Sequence, residues 1–250
     1  MSKNINFTLL SSVLSVCTLF ASSPEVDSDA LRYKSMSAVR TDLAPKIDGN
    51  LDDEVWVNAV ALDDFIQYEP YNLKPPTVET EVRVLYDDNY VYIAFQNFDP
   101  DPSSIMDRIS RRDDFEAIEK NVDWVGFGID SNNDDMTGNW FMLTAAGVQL
   151  DVSINESGGW RDKYDISWNA VWDGKTQIHS EGWSAEIRVP FNVFQFTKKE
   201  VQTWGGTFQR GYFKDQEEIH WPGRSKGVKN TVPYYGAING LKNIPQPKNL

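Results

Sequence analysis

From residue 78 to residue 238, apolar and polar side chains alternate with a period of two in segment after segment, and turn residues separate the segments. Val82, Val84 and Tyr86 fall on one side of an extended chain, and Glu81, Arg83 and Leu85 on the other, the pattern of a strand with two distinct faces. Asp87-Asp88-Asn89 forms a turn cluster and 90–95 resumes the alternation, which predicts a hairpin. In 123–130, Val125, Phe127 and Ile129 share one face, while Trp124, Gly126 and Gly128 share the other. Further strands are predicted at 139–144, 148–154, 168–178, 182–190, 204–213, 217–221 and 233–238. No long amphipathic pattern of helical period interrupts them. The expected fold is therefore all-β: an antiparallel β-sandwich of jelly-roll or immunoglobulin-like type with short helical turns. One such turn, capped by Asp52 or Asp53, leads to Trp56, read as a core plug closing the sandwich end.

Composition narrows the function. Hydrophobic residues make up 40% of the 250 residues, with 13 Phe, 10 Tyr and 9 Trp, enough for a packed core and a surface that carries rings. The net charge of −13 repels phosphate backbones, so nucleic acid is not an expected partner.

The first residues have the form of a secretion signal. Lys3 precedes an apolar stretch over 7–21, and Ala21-Ser22-Ser23 supplies small residues for cleavage. The stretch is shorter than the roughly 20 residues that span a bilayer. The expected organisation is a signal peptide at 1–23, a polar leader at 24–32, one sandwich domain at 33–240, and a linker or truncated start of a C-terminal domain at 241–250. Cys17 is the one cysteine and lies inside the signal, so the exported chain would have no disulfide. The expected location is the periplasm, the outer-membrane surface or the extracellular space.

Three linked pieces carry a resemblance. Ile47-Asp48-Gly49 is followed by Trp56; the strand at 82–85 is followed by Asp87 and Tyr90-Val91-Tyr92; and Gly182-Trp183 is followed by Glu186. In this order and spacing they resemble the family-nine carbohydrate-binding modules. A narrower set resembles the module that opens a group of large bacterial outer-membrane proteins. It comprises Asn139, Phe141, Gly147, Gln149 and Asp151, the run Trp168-Asn169-Ala170-Val171-Trp172, Trp204-Gly205, and Arg210 with Glu218 and Trp221. The resemblance implies a β-sandwich that binds glycans without catalysis, in the setting of carbohydrate catabolism and associated with glycoside hydrolases. In the outer-membrane group it also implies a long β-rich domain downstream as partner. Well-understood modules of the family hold a sugar between two tryptophans. The corresponding stretches here contain Ala117, Glu119 and Lys120, and Lys229 and Asn230, so the platform is expected elsewhere.

Sugars are gripped by flat rings against their C–H faces and by planar polar groups at their hydroxyls. Trp160, in a Gly-rich loop with Arg161, Asp162 and Tyr164 nearby, is the first candidate. Trp124 is the second, with Gly126 and Gly128 leaving a shallow trough beside it. Trp221 is the third. Trp172, Trp183 and Trp204 are expected in the core. Arg111 and Arg112 could meet a carboxylated sugar or pair with Asp113, Asp114 or Glu116, and pairing is the expected outcome. The loop 222–230 reads as ordinary solvated chain. Asp130, Asn132 and Asp134 supply oxygens on a tight loop of the kind that suits calcium, although the full calcium-loop signature is missing and Phe141 stands where its glutamate belongs. A solvated hairpin tip is the competing reading. His179 and His220 lie in strand-like segments, and no nucleophile elbow or paired metal ligands occur. Two functions remain: a noncatalytic carbohydrate-binding module, or a structural and interaction domain of an outer-membrane protein that has lost sugar binding.

Overall fold

The computed structural model describes residues 31, 33–118, 120–159 and 162–245. The signal segment with Cys17, and the candidates Trp160 and Arg161, lie outside the described residues. The described chain forms two packed sheets. The nine-stranded sheet runs β1 (Ser35–Ser37), β14 (Gly236–Lys242), β12 (Val201–Tyr212), β6 (Trp124–Asp130), β7 (Thr137–Thr144), β8 (Gln149–Asn155) and β9 (Tyr164–Asp165). The far half of β12 also pairs with β13 (Glu217–Trp221), which carries β3 (Ile66–Glu69). The five-stranded sheet runs β10 (Asp173–His179), β11 (Gly182–Pro190), β5 (Tyr90–Phe98), β4 (Thr80–Tyr86) and β2 (Val39–Arg40). Pairing is antiparallel except for β1 with β14 and β2 with β4.

The period-two pattern is what the packing uses. Val82, Val84, Ile93 and Phe95 of the smaller sheet meet Val125, Phe127, Ile129 and Phe141 of the larger one in the main core. Phe127 and Phe141 stack at 4.8 Å, and Trp172 meets Phe141 edge-on at 5.6 Å, geometries in which ring quadrupoles attract. Trp172, Trp183 and Trp204 are buried as expected. Trp56 is buried too, but it does not close the sandwich end. It covers the outer face of the smaller sheet over Leu85, Tyr92 and Ala94.

Two strands differ from expectation for local reasons. Strand β10 starts at Asp173 rather than Trp168, because Asp151 draws the preceding run away from the ladder. Its carboxylate accepts from the Ala170 N–H at 2.7 Å and from Trp172 Nε1 at 3.1 Å, and it pairs with Arg112. The last strand starts at Gly236 after a short 3-10 turn over Val232–Tyr234; Pro233 in that turn has no N–H to give a ladder. It continues to Lys242, and Leu241 and Ile244 are buried in the main core, past the domain end expected at 240.

Two buried polar networks fix the sandwich. The Glu186 carboxylate, fully buried on β11, accepts the N–H groups of Asp48 and Gly49 at 2.9 Å and Trp56 Nε1 at 2.9 Å. Ser184 Oγ donates to the Gly49 carbonyl at 2.6 Å. Burial pushes the Glu186 pKa upward, against the pull of its donors. On β12, Arg210 is fully buried and joins the sheets. Its Nη1 donates to the Glu79 carbonyl at 2.9 Å and Thr80 Oγ1 at 3.0 Å, and its Nη2 to the Phe98 carbonyl at 3.0 Å. Burial lowers its pKa to about 10, so the guanidinium stays charged at neutral pH. Glu186→Ala would strand the two backbone donors and the indole N–H in the interior. Each such group is worth about 1–3 kcal/mol, so urea unfolding is expected to show a loss of about 3 kcal/mol or more.

Candidate functional site

The outer face of the nine-stranded sheet carries a second, smaller apolar cluster in which Trp124, Met142, Val152 and Ile154 are buried and Trp140 and Tyr235 partly so. Alternation alone puts these strand residues there, opposite Val125, Phe127 and Phe141. Two glycines let the rings lie flat on the sheet. A Cβ at Gly211 would come 2.1 Å from Trp124 Nε1, and one at Gly128 would come 2.3 Å from Tyr235 Oη. Trp140 stands edge-on to Trp124 at 6.2 Å, and its Nε1 donates to Gln209 Oε1 at 3.2 Å.

Tyr235 arrives from the segment joining β13 to β14, and a buried ion pair anchors that segment. Glu156 Oε1 accepts the N–H groups of Thr231 at 2.6 Å and Val232 at 2.9 Å. Lys163 pairs with Glu156 at 2.6 Å, donates to the Lys229 carbonyl at 3.0 Å, and lies 5.2 Å from the centre of the Tyr164 ring. Burial pushes the Glu156 pKa up, but Lys163 and the Thr231 and Val232 N–H groups hold it below the usual range. One ion pair thus holds both the Thr231 rim and the Tyr164 rim.

The opposite side is polar. His220 on β13 is fully buried, stacks on Tyr68 at 4.6 Å, and hydrogen-bonds Glu218. Burial holds the imidazole below its ordinary pKa, so at neutral pH it is uncharged and its Nε2–H donates to the Glu218 carboxylate. The Arg224 guanidinium sits 4.4 Å from the centre of the same Tyr68 ring, a cation–π distance. Together these elements enclose a cleft of about 500 Å³. Trp124, Trp140 and Met142 line it along the sheet, Phe115, Tyr164 and Tyr235 add rings, and Gln209, Glu218, Arg224 and Thr231 add polar groups. A smaller recess of about 180 Å³, between Lys120 and Gln216, shares Trp124 and Glu218 with it.

The structure sorts the expected site residues. Tyr164 lines the cleft and is 38% exposed. Asp162 is exposed, in a turn whose N–H donates to the Gly159 carbonyl, and is not among the cleft residues. Trp124 is on the expected face, but only 3% of it is exposed; the trough foreseen over Gly126 and Gly128 is filled by Trp140 and Tyr235. Trp221 is not a platform. It faces inward, is 1% exposed, and packs on Phe208 at 5.8 Å inside the sandwich. Arg112 pairs with Asp113, as the pairing reading expected, and also with Asp151, which that reading did not name. The loop 222–230 is not simply solvated, because it delivers Arg224 to the cleft. The two stretches lacking tryptophan do supply rings close by, Phe115 before β6 and Tyr235 before β14. Trp140 carried a usable signal: if Phe141 and Leu143 point inward, Trp140 must share the face of Trp124.

The acidic hairpin tip uses its oxygens on its own backbone. Asp130 Oδ2 accepts the N–H groups of Asp134 and Asp135 at 2.9 Å. Asp134 Oδ1 accepts those of Met136 and Thr137, and its Oδ2 accepts the Thr137 hydroxyl. Among the described residues, no group of three or more His, Cys, Asp or Glu converges as a metal set would. With Asp130 Oδ2 and both Asp134 oxygens engaged by neighbouring donors, EDTA is expected to leave the thermal midpoint unchanged. Burial raises the Asp130 pKa to about 6 from 3.8. The folded state therefore holds this proton more tightly than the unfolded state does. The stability contributed by the group is full below about pH 4, is lost as pH rises to about 6, and is flat above. Asp130→Asn removes that slope. The stability of the variant relative to the parent is expected to rise between pH 4 and 6 by on the order of 2 kcal/mol, read from urea midpoints at each pH.

No family model matches the chain, and no curated protein does. Solved structures do match. A family-nine carbohydrate-binding module from Caldicellulosiruptor kristjanssonii, in complex with glucose, superposes with a TM-score of 0.61 at 16% identity, covering 86% of this chain and 100% of that one. A family-nine module from the same organism, in complex with cellotriose, gives a TM-score of 0.57 at 17% identity, with coverages of 87% and 100%. A candidate carbohydrate-binding protein from Bacteroides uniformis gives a TM-score of 0.60 at 14% identity, with coverages of 82% and 98%. The chain therefore has the fold of the family-nine carbohydrate-binding modules.

Proposed function

We propose that this chain is a noncatalytic carbohydrate-binding module and that sugar occupies the cleft on the outer face of the nine-stranded sheet. One observation carries the reading. Half-buried rings, Trp140 and Tyr235, and the exposed Tyr164 share a cavity of about 500 Å³ with a carboxylate, a guanidinium and a carboxamide, namely Glu218, Arg224 and Gln209. The rings offer apolar faces to C–H groups, and the planar polar groups offer donors and acceptors to hydroxyls. The complexes of fold relatives with glucose and cellotriose support the same ligand class. Glycoside hydrolysis ordinarily uses two carboxyl groups flanking the bond. Among the described residues, Glu218 is the one acid lining the cleft, and it is committed to His220, which favours binding over turnover. The signal-like first residues support a role outside the cytoplasm, where the module would bring its host to glycans.

Titration with glucose, cellotriose and a panel of soluble polysaccharides, read by tryptophan fluorescence and calorimetry, tests the proposal. Saturable binding is expected, with Trp140→Ala or Arg224→Ala weakening it at least about tenfold, the scale of one lost stacking or charged hydrogen-bonding contact. Val57→Ser, at a residue 82% exposed and remote from the cleft, is expected to bind as the parent does. Silence across the panel would leave a structural module as the better reading.

A further inference from the structure

The cleft is not uniform across the sheet. Its strands lie in the order β13, β12, β6, β7, β8, β9, and its side chains change character along that order. Over β13 and β12 are Glu218 and Gln209, with Arg224 beside them. Over β6 and β7 are Trp124 and Trp140. Over β8 are Val152 and Ile154, and Tyr164 of β9 is followed by Ile166. Tyr164 pairs with Ile154 in the ladder, so these residues form one continuous end, bordered by Thr231, whose hydroxyl proton is given to Glu156 just past β8. From β12 to β8 is three strand spacings, about 14 Å, short enough for one ligand to touch both ends at once.

The two ends ask for different chemistry. A hydroxyl placed at the Glu218, Gln209 and Arg224 end finds donors and acceptors. A hydroxyl placed over Val152, Ile154 and Ile166 leaves water without a side-chain partner from those three residues, which disfavours it. Ile166 is 61% exposed beside Tyr164 at 38%, with Phe115 on the same cleft at 39%. Large apolar side chains gathered in a concavity, rather than scattered singly, mark a contact surface.

We infer that the module recognises a glycan unit bearing an apolar substituent of a few carbons, such as an alkyl, acyl or deoxy-methyl group, with the sugar hydroxyls at the β12–β13 end and the substituent at the β8–β9 end. The inference rests on the cleft being the sugar site, and it adds an amphipathic ligand to that reading.

The test compares methyl and n-butyl glycosides of glucose, galactose and mannose, with 1-butanol alone as control, by calorimetry on the parent chain and on Ile166→Ser. The exposure of Ile166 makes that variant safe for folding, and Ile166→Leu serves as the conservative companion. For the sugar that binds, the butyl glycoside is expected to bind about tenfold tighter than the methyl glycoside, the gain from roughly two CH₂ groups leaving water. Ile166→Ser is expected to reduce that gain, taken as the ratio of butyl to methyl glycoside affinity within each variant, to less than about threefold, and Ile166→Leu to keep it. 1-Butanol is expected to show no saturable binding. Equal affinity for methyl and butyl glycosides would overturn the inference and leave the sugar cleft standing, as would a butyl gain undiminished in Ile166→Ser. Saturable binding of 1-butanol as tight as the glycoside would also overturn it, since the groove would then select alkyl chains without sugar. No binding of any glycoside would overturn the inference and the sugar reading together.

Discussion

A ring can lie flat on a β-sheet only where the strand beneath it lacks a side chain, and the site depends on that constraint. Alternation gives β6 and β12 one face of Val125, Phe127, Ile129 and Phe208 directed into the sandwich. On the other face, Gly211 leaves room for Trp124, and Gly128 for Tyr235. Had those positions carried Cβ atoms, the indole and phenol would stand away from the sheet and the concavity between them would close. The same strands therefore build a stacked aromatic core on one side and a shallow aromatic floor on the other.

The residues that carry the family likeness build the scaffold and largely leave the cleft alone. The Asp48-Gly49 turn, Trp56 and Glu186 are one hydrogen-bonded unit that covers the outer face of the smaller sheet. Gln149, Asp151, Ala170 and Trp172 are another, in which one carboxylate draws a loop back over the edge of the larger sheet. Arg210 ties the two sheets through backbone carbonyls. These are buried polar groups whose partners must all be present, because an unpaired one destabilises the fold. They fix the fold without contributing rings to the cleft, and the two stretches where the resemblance implies tryptophans lie near Phe115 and Tyr235 instead.

That division explains how much was legible in the chain. Strand positions and inward faces follow from the period-two pattern, because burial of one face enforces it: Val82, Val84, Val125, Phe127 and Ile129 all point where their spacing says. Trp221 shows where the pattern stops helping. It sits in a five-residue strand flanked by a turn and a proline, too short for its face to be read without knowing that Phe208 stands opposite. In the sequence, Glu218 stands out only as part of the family resemblance, with no role in a cleft, and Arg224 only as part of a solvated loop. Their roles come from β13 pairing with β3, which sets Glu218 against Glu69, and from a loop folding onto Tyr68, contacts between segments far apart in sequence. Local pattern holds no record of those.

The direction of β14 has a consequence for how this module can be mounted. The strand begins beside Tyr235, pairs Gly236 with Gly206, and ends with Lys242 opposite Val201, about 20 Å farther along the sheet. The rings occupy the stretch of β12 beyond Gly206, so the backbone exits at the opposite pole of the sheet. A tether fixed after residue 245, whether a carrier protein or a biosensor chip, would leave the aromatic floor unobstructed by the mount.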